Sequence, residues 1–390
     1  MTNPIELHRI VDRVRAAAAD ATPLDIRGGG TKNFYGEVAL GEPLVTSELT
    51  GSTSYEPSEL VVTVRAGTPL AELEALLADQ GQCLPFEPPR FSHPANPGVR
   101  GGTVGGMVAA GLSGPSRASV GAVRDYVLGA TLVDGRGEVL HFGGTVMKNV
   151  AGYDVSRVLA GSLGTLGVIA EVSLKVLPVA PAEATIEFEC DQADALRLLN
   201  EWGGRPLPLN ASLWRLREGV GVLSLRLRGA VAAVEAACRH LGGAVQEAGP
   251  AEAGWQSLRD QQHPWFADRA MNGGPAASNA DDLWRLSVPQ TASVLELDGS
   301  PWIEWHGGQR WYQAASGQAS RMRETARAVG GHATLFRAGG RTEATEATDT
   351  SEPASRFDAL SAPLARIHRA LMKEFDPHNI FNRDRLLSAG

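Results

Sequence analysis

Glycine-rich loops recur through the first half of this chain, and they are its residues best suited to chemistry. The first is Arg27-Gly28-Gly29-Gly30-Thr31-Lys32, and the second is Gly101-Gly102-Thr103-Val104-Gly105-Gly106. Ser113-Gly114-Pro115-Ser116-Arg117 and Arg124-Asp125-Tyr126 follow. Then come Lys148-Asn149-Val150-Ala151-Gly152-Tyr153-Asp154 and Gly161-Ser162-Leu163-Gly164-Thr165-Leu166-Gly167-Val168-Ile169. They are too many, and too regularly set between apolar runs, for ordinary turns. Glycine lets a backbone approach a ligand closely and adopt positive φ. Successive N–H groups in such loops form anion-binding nests. The pattern describes a chain that wraps a long phosphate-bearing cofactor. Arg27 and Lys32 would pair with a pyrophosphate; the alternative is a solvated loop. Arg117 and Arg124 could instead pair with Asp125 or Asp154, and Lys148 could approach the cofactor or brace its own loop.

Two common phosphate fingerprints are absent. The dinucleotide motif needs Gly-x-Gly-x-x-Gly directly after a strand, with an acidic residue about 20 positions on. Gly101–Gly106 lacks that spacing and follows Pro94, Pro97 and Arg100. No Gly-Lys-Ser/Thr occurs, so there is no P-loop. Cys83, Cys190 and Cys238 are odd in number and far apart, with no Cys-x-x-Cys, so no metal or iron–sulfur site is expected from this chain alone.

The elements that must position these loops alternate. The 390 residues suffice for two or three domains. With 43% hydrophobic and 21% charged residues, the composition is that of a globular protein. The net charge of −8 offers no basic field for nucleic acid. No apolar run is long enough to span a bilayer, and the N-terminus does not resemble a signal peptide, so a cytoplasmic location is the default. Asn3, Pro4 and Glu6 form a helix-start pattern. Leu24–Arg27 and Leu60–Val64 are predicted strands. Leu70, Leu73, Leu76 and Leu77 share one helical face. Tyr126–Val133 and Glu138–Phe142 flank a hairpin turn at Asp134-Gly135-Arg136-Gly137, and Leu166–Leu177 is a long strand. The proline-rich run 178–182 marks a boundary. Beyond it, Thr185–Glu189, Val222–Leu227, Trp284–Val288, Trp302–Trp305 and Arg310–Gln313 read as strands, and Ala193–Trp202 and Val231–Leu241 as helices. Residues 343–356 read as a flexible linker, and Phe357–Phe375 as a final helix.

Taken together, the loops resemble the FAD-binding domain of the vanillyl-alcohol oxidase (PCMH-type) flavoproteins. The resemblance covers the N-terminal domain and the closing Phe375-Asp376-Pro377…Ile380-Phe381-Asn382. It implies an α+β fold: a two-subdomain FAD-binding domain over 1–178, an α+β cap over 179–342, the linker, and a C-terminal segment 357–390 returning to the FAD domain. It also implies that Arg27, Gly28, Gly29, Gly30, Thr31 and Lys32 hold the FAD pyrophosphate. Gly101, Gly102, Thr103, Gly105 and Gly106 would run along the pyrophosphate and flavin. Gly114, Pro115, Arg117, Arg124 and Asp125 would line the cofactor further on. Gly161, Gly164, Thr165, Val168 and Ile169 would close over its adenine–ribose end, and Asn382 would sit near the isoalloxazine. Thr31 stands where covalent members often carry histidine, which implies non-covalent FAD.

Within that family, Val146–Arg157, Trp305–Trp311 and Gly330–Arg337 resemble the FAD-binding subunits of bacterial glycolate oxidases. Such subunits imply two partners, a catalytic flavoprotein D subunit and an iron–sulfur F subunit. They also imply a small 2-hydroxy acid substrate (glycolate or D-lactate) and a peripheral membrane association only through partners. The His-x-Gly-Asp-Gly-Asn-x-His stretch of self-sufficient 2-hydroxy-acid dehydrogenases is missing. A 2-hydroxy acid needs a cation for its carboxylate and a base for its hydroxyl. His306, His332, Arg310 and Arg337 are the weak candidates, with core or interface packing as the more common role for such residues. His263-Pro264-Trp265-Phe266 is open in the same way. Alternative readings are a self-sufficient FAD-dependent dehydrogenase and a non-catalytic scaffold subunit.

Overall fold

The computed structural model describes residues 5–93, 96–144, 154–267, 281–339 and 354–387. The run Lys148–Tyr153, residues 343–353 of the linker, and Asn3 and Pro4 lie outside the described residues. The chain forms two compact units. The first takes Met1–Ser113, Ala122–Val179 and Ala359–Gly390; the second takes Gly114–Gly121 and Ala180–Asp358.

In the first unit, helix Ile5–Asp20 buries Leu7, Ile10, Val11 and Val14, one face of a 3.6-residue repeat. That face packs with Leu24, Leu44, Ile380 and Phe381. Strand Leu24–Arg27 pairs in parallel with Glu42–Val45. The chain's end returns here: the Leu24 N–H donates to Ile380 O, and the Asn382 N–H to Leu24 O. A separate five-stranded sheet has the order Ser52–Glu56, Val61–Arg65, Val168–Lys175, Val127–Val133, Val139–Gly143. Val127–Val133 is buried at every position, which explains its continuous apolar run. Helices Leu70–Ala78 and Val104–Ala110 cover this sheet through Leu70, Leu73, Leu77, Met107 and Val108.

The second unit is an eight-stranded antiparallel sheet. Its order is Ala244–Val245, Ala182–Glu189, Val220–Gly229, Leu209–Arg217, Trp302–Glu304, Gln309–Ala314, Asp282–Ser287, His332–Arg337. Helices Gln192–Gly203 and Val231–Leu241 bury Leu199, Trp202 and Val234 against Ile186, Leu225 and Ile303. Helix Ala319–Ala328 does the same for Trp284 and Leu335 through Met322 and Ala326.

Four elements in particular differ from the sequence-based expectation. The final helix is Ala362–Phe375 rather than Phe357–Phe375. Pro363 sits in its first turn, where its missing N–H costs nothing, whereas in a helix begun at Phe357 it would be interior and break the backbone ladder. Half of the second glycine loop is helix: Thr103 caps Val104–Ala110, accepting from the Gly106 N–H at 3.3 Å. The strand at Leu209–Arg217 and the helix at Ala248–Arg259 were not expected.

Candidate functional site

Strand Leu24–Arg27 runs directly into the first glycine loop. The loop packs edge-on against the second: a Cβ at Gly28 would lie 2.2 Å from Thr103 Oγ1, and one at Gly29 would lie 2.8 Å from the Gly102 Cα. Gly102 has φ +72°, and a Cβ there would meet Thr31 Oγ1 at 2.6 Å. Only glycine permits this contact between backbones. The two loops, with Ile26, Asn33, Ala109, Ala110, Leu163, Asn382 and Arg385, enclose a cleft of about 70 Å³. A single water needs roughly 10–15 Å³ on this measure, so the cleft admits a group of diphosphate size.

The backbone donors at this cleft divide sharply. In the second loop the Gly101 N–H donates to Phe91 O, Val104 to Thr68 O, Gly105 to Ala66 O and Gly106 to Thr103 Oγ1. Those of Gly102 and Thr103 have no partner among the described residues, and neither do those of Gly29, Gly30 and Thr31 in the first loop. Unpaired backbone donors are uncommon in folded proteins. Five of them lining one narrow cleft fit an anion with several oxygens. FAD, which carries a diphosphate, fits this cradle.

The charged flanks behave differently from each other. Arg27 pairs with the buried carboxylate of Asp25. Lys32 Nζ stands 3.4 Å from Gly101 O and 6.0 Å from the centroid of the Phe91 ring. Arg385, which the sequence reading missed, is buried beside the cleft and donates to Asn33 O and Tyr35 O at 3.3 and 3.2 Å. Burial holds its pKa below the usual arginine value. Its only signal in the sequence is its place three residues after Asn382.

Asn382 ties the site together. Its Oδ1 accepts from the Ile26 N–H at 2.7 Å, and its Nδ2 donates to Leu163 O at 2.6 Å. It thereby fixes the first strand to the turn at residues 161–165. Thr165 Oγ1 is spent on Ser162 O, and Val168 and Ile169 are spent on the two cores. Gly161 and Gly164 take positive φ in the turn. Arg124 and Asp125 are exposed and do not line the cleft; Asp125 accepts from the Ala122 N–H at 2.8 Å and so caps its own turn.

Gly114, Pro115 and Arg117 belong to the second unit. There Trp305 Nε1 donates to Gly114 O at 3.0 Å, and the Arg117 guanidinium lies 4.4 Å from the Trp305 ring centroid. His306 completes this anchor. Its Nδ1 faces Ser212 Oγ at 3.0 Å and its Nε2 faces Ser119 Oγ at 3.1 Å. Burial lowers its pKa to about 4. Arg310 is fully buried, with its guanidinium on the carbonyls of Gly307, Ala292 and Ser293. Arg337 is buried with its guanidinium over Phe336, and burial lowers its pKa to about 10. His332 is exposed at a strand start. The structure does not gather these four into one cluster. Among the described residues there is no group of three metal-ligating side chains.

Comparisons with known proteins agree with this geometry. The FAD binding domain family matches residues 4–143. The sequence is 40% identical to "Glycolate oxidase subunit GlcE" of Escherichia coli (strain K12) over 377 residues, 97% of this chain and 96% of that protein. It is 32% identical to a D-lactate dehydrogenase of Anaerostipes hadrus over 167 residues, 42% of this chain but only 33% of that protein. A solved structure of alkyldihydroxyacetonephosphate synthase aligns with a TM-score of 0.64 at 14% identity, covering 96% of this chain and 74% of that one. This last likeness is one of fold.

Proposed function

The chain belongs to the family of FAD-binding proteins that includes glycolate oxidase subunit GlcE, and from that premise we propose that it is the FAD-binding subunit of a glycolate-oxidising complex. It is an FAD-dependent oxidoreductase by family. The N–H groups of Gly29, Gly30, Thr31, Gly102 and Thr103 hold the diphosphate, and Lys32 adds positive charge beside them. These donors are fixed before the ligand arrives, so little reorganisation opposes binding. Bound FAD supplies an acceptor for the two electrons of glycolate oxidation to glyoxylate. Thr31, buried and without a nucleophilic ring, leaves the cofactor non-covalently held.

Substrate oxidation depends on partners in this reading: a catalytic flavoprotein D subunit, and an iron–sulfur F subunit that receives electrons by way of FAD. Two facts support it. Similarity to GlcE runs the length of both chains. Arg310 and His306, the residues best typed for a hydroxy acid, are already committed to carbonyls and hydroxyls within their own unit. Among the described residues, no helix is long and apolar enough to cross a membrane.

The carrying observation is the cradle of five amide donors with no partner among the described residues, within an end-to-end relative of GlcE. The test is a visible absorption spectrum of the chain alone and with co-purified partners, before and after anaerobic glycolate. Flavin is expected in both preparations, bleaching only when partners are present. Bleaching in the isolated chain would overturn partner dependence. A preparation without flavin would overturn the cofactor role.

A further inference from the structure

The second unit contains a cavity of about 290 Å³ that the flavin reading does not use. It lies between one face of the large sheet and helix Ala248–Arg259. Thr185, Glu187, Leu213, Arg215, Ser224 and Trp302 come from the strands; Gly254, Trp255 and Leu258 come from the helix. Trp255 Nε1 donates to Thr185 Oγ1 at 2.9 Å and so fixes the helix above the sheet. Trp302 stacks on Trp265 at 5.1 Å and 18° between ring planes, giving one wall a flat aromatic surface.

The charges in this cavity do not balance. Glu187 accepts from Arg217 at 2.9 Å and from Ser224 Oγ at 2.8 Å, so that pair is neutral and satisfied. Arg215 makes no ion pair among the described residues; the carboxylate that acts on it, Glu187, is already paired with Arg217. Its guanidinium carbon is 4.9 Å from the Trp302 ring centroid, its Nε is buried with no hydrogen-bond partner, and its Nη1 faces His263 Nε2 at 3.1 Å. His263 cannot resolve the surplus. Its Nδ1 already faces the Trp265 N–H at 3.1 Å. A neutral imidazole offers one acceptor nitrogen, yet both of its nitrogens confront donors. Burial and the adjacent Arg215 lower the His263 pKa, which keeps the ring neutral. Among the described residues the site therefore has N–H donors in excess and one more cation than carboxylate, Arg215 and Arg217 against Glu187, beside aromatic walls.

We propose that this cavity binds a small organic anion: a carboxylate received by Arg215, carried on a flat apolar body that lies against Trp302 and Trp255. A carboxylate supplies the acceptor oxygens that Arg215 and His263 lack, and a guanidinium takes it in bidentate fashion. The apolar body matches a lining rich in tryptophan and leucine.

Titration calorimetry on the full chain with benzoate and with benzamide, its neutral isostere, tests this. Benzoate is expected to bind saturably and benzamide at least roughly tenfold more weakly, the worth of a charge-assisted hydrogen bond. Arg215→Gln should weaken benzoate by a similar factor. Gly254→Phe provides a second variant: Gly254 lines the cavity, and a Cβ there meets nothing within 4 Å, so no backbone clash opposes the side chain. Its ring would occupy the cavity and abolish binding while the circular dichroism spectrum stays that of the wild type. Equal affinity for benzoate and benzamide, benzoate binding unchanged in Gly254→Phe, or no benzoate binding at all would each overturn the proposal.

Discussion

Replacing Asn382 by alanine should loosen the cofactor-binding unit selectively. The asparagine is 2% exposed and holds two backbone groups, the Ile26 N–H and the Leu163 carbonyl. Alanine leaves both buried without partners, at about 1–3 kcal/mol each. Asn382 also sits at φ +37°. Asparagine tolerates that region, whereas alanine is disfavoured there by roughly 1–2 kcal/mol. Local relaxation recovers part of this, so about 3 kcal/mol is expected. With a urea m-value of about 3 kcal/mol/M, the midpoint should fall by roughly 1 M. The assay can separate the units because all eight tryptophans, Trp202 to Trp311, lie in the second. Tryptophan emission follows that unit, while flavin fluorescence at fixed FAD follows the first. The expected result is a flavin-release midpoint lowered by about 1 M, with a much smaller change in the tryptophan midpoint. An unchanged flavin-release midpoint would refute the bridging role. So would an equal fall in both midpoints, since the damage would then not be local.

Gly29→Ala should cost FAD affinity at least roughly tenfold, since its Cβ meets the Gly102 backbone at 2.8 Å, where no rotamer can relieve the clash. Flavin-to-protein absorbance ratios check this, with Gly249→Ala as control. Its Cβ meets nothing within 4 Å beyond its chain neighbours, in the helix Ala248–Arg259 of the second unit, so it should keep its flavin. His306 gives the second unit a pH dependence. Its folded pKa of about 4 lies below the ordinary histidine value of 6.5, so its contribution is fully present above pH 6.5 and is lost as pH falls towards 4. The loss reaches about 3 kcal/mol at most. His306→Asn, which suits the φ of +55° and does not titrate, should flatten that part of the tryptophan-detected stability profile; an unaltered slope would sink the assignment.

The sequence displays some of this structure and hides the rest for physical reasons. Leu70–Ala78 and Val231–Leu241 are legible because a local apolar period matches the face they bury. The first glycine loop is legible because its residues must make close backbone contacts. The helix beginning at Val104 is not, because Gly105 and Gly106 argue against helix by propensity. Gly105 is there because helix and strand touch: a Cβ would lie 2.6 Å from that of Ala66. Helix Ala248–Arg259 is obscured by Gly249, Pro250 and Gly254, and it forms because Trp255 and Leu258 find a sheet to cover. The membership of Gly114–Gly121 in the second unit depends on Trp305 and His306, nearly two hundred positions away along the chain. No local pattern encodes it.

The arginines show most directly where sequence reasoning ends. Arg310 and Arg215 each adjoin a tryptophan in sequence, Trp311 and Trp214, and each stands in a strand of the same sheet. By residue type and neighbourhood they are equivalent, and Arg310 was the one singled out for a substrate carboxylate. The structure reverses their standing. Three carbonyls take a donor from each nitrogen of Arg310, which is fully buried and out of an anion's reach. Arg215 faces a histidine that cannot accept all it presents, in a cavity large enough for a ligand. The difference lies in where the acceptors are. Gly307 reaches Arg310 from the turn Trp305–Gly307, and Ala292 and Ser293 reach it from the loop that follows strand Asp282–Ser287, whereas the carboxylate beside Arg215 has been taken by Arg217. Recognition capacity in this fold is thus set by which cation is left over after the backbone and its neighbours have been satisfied.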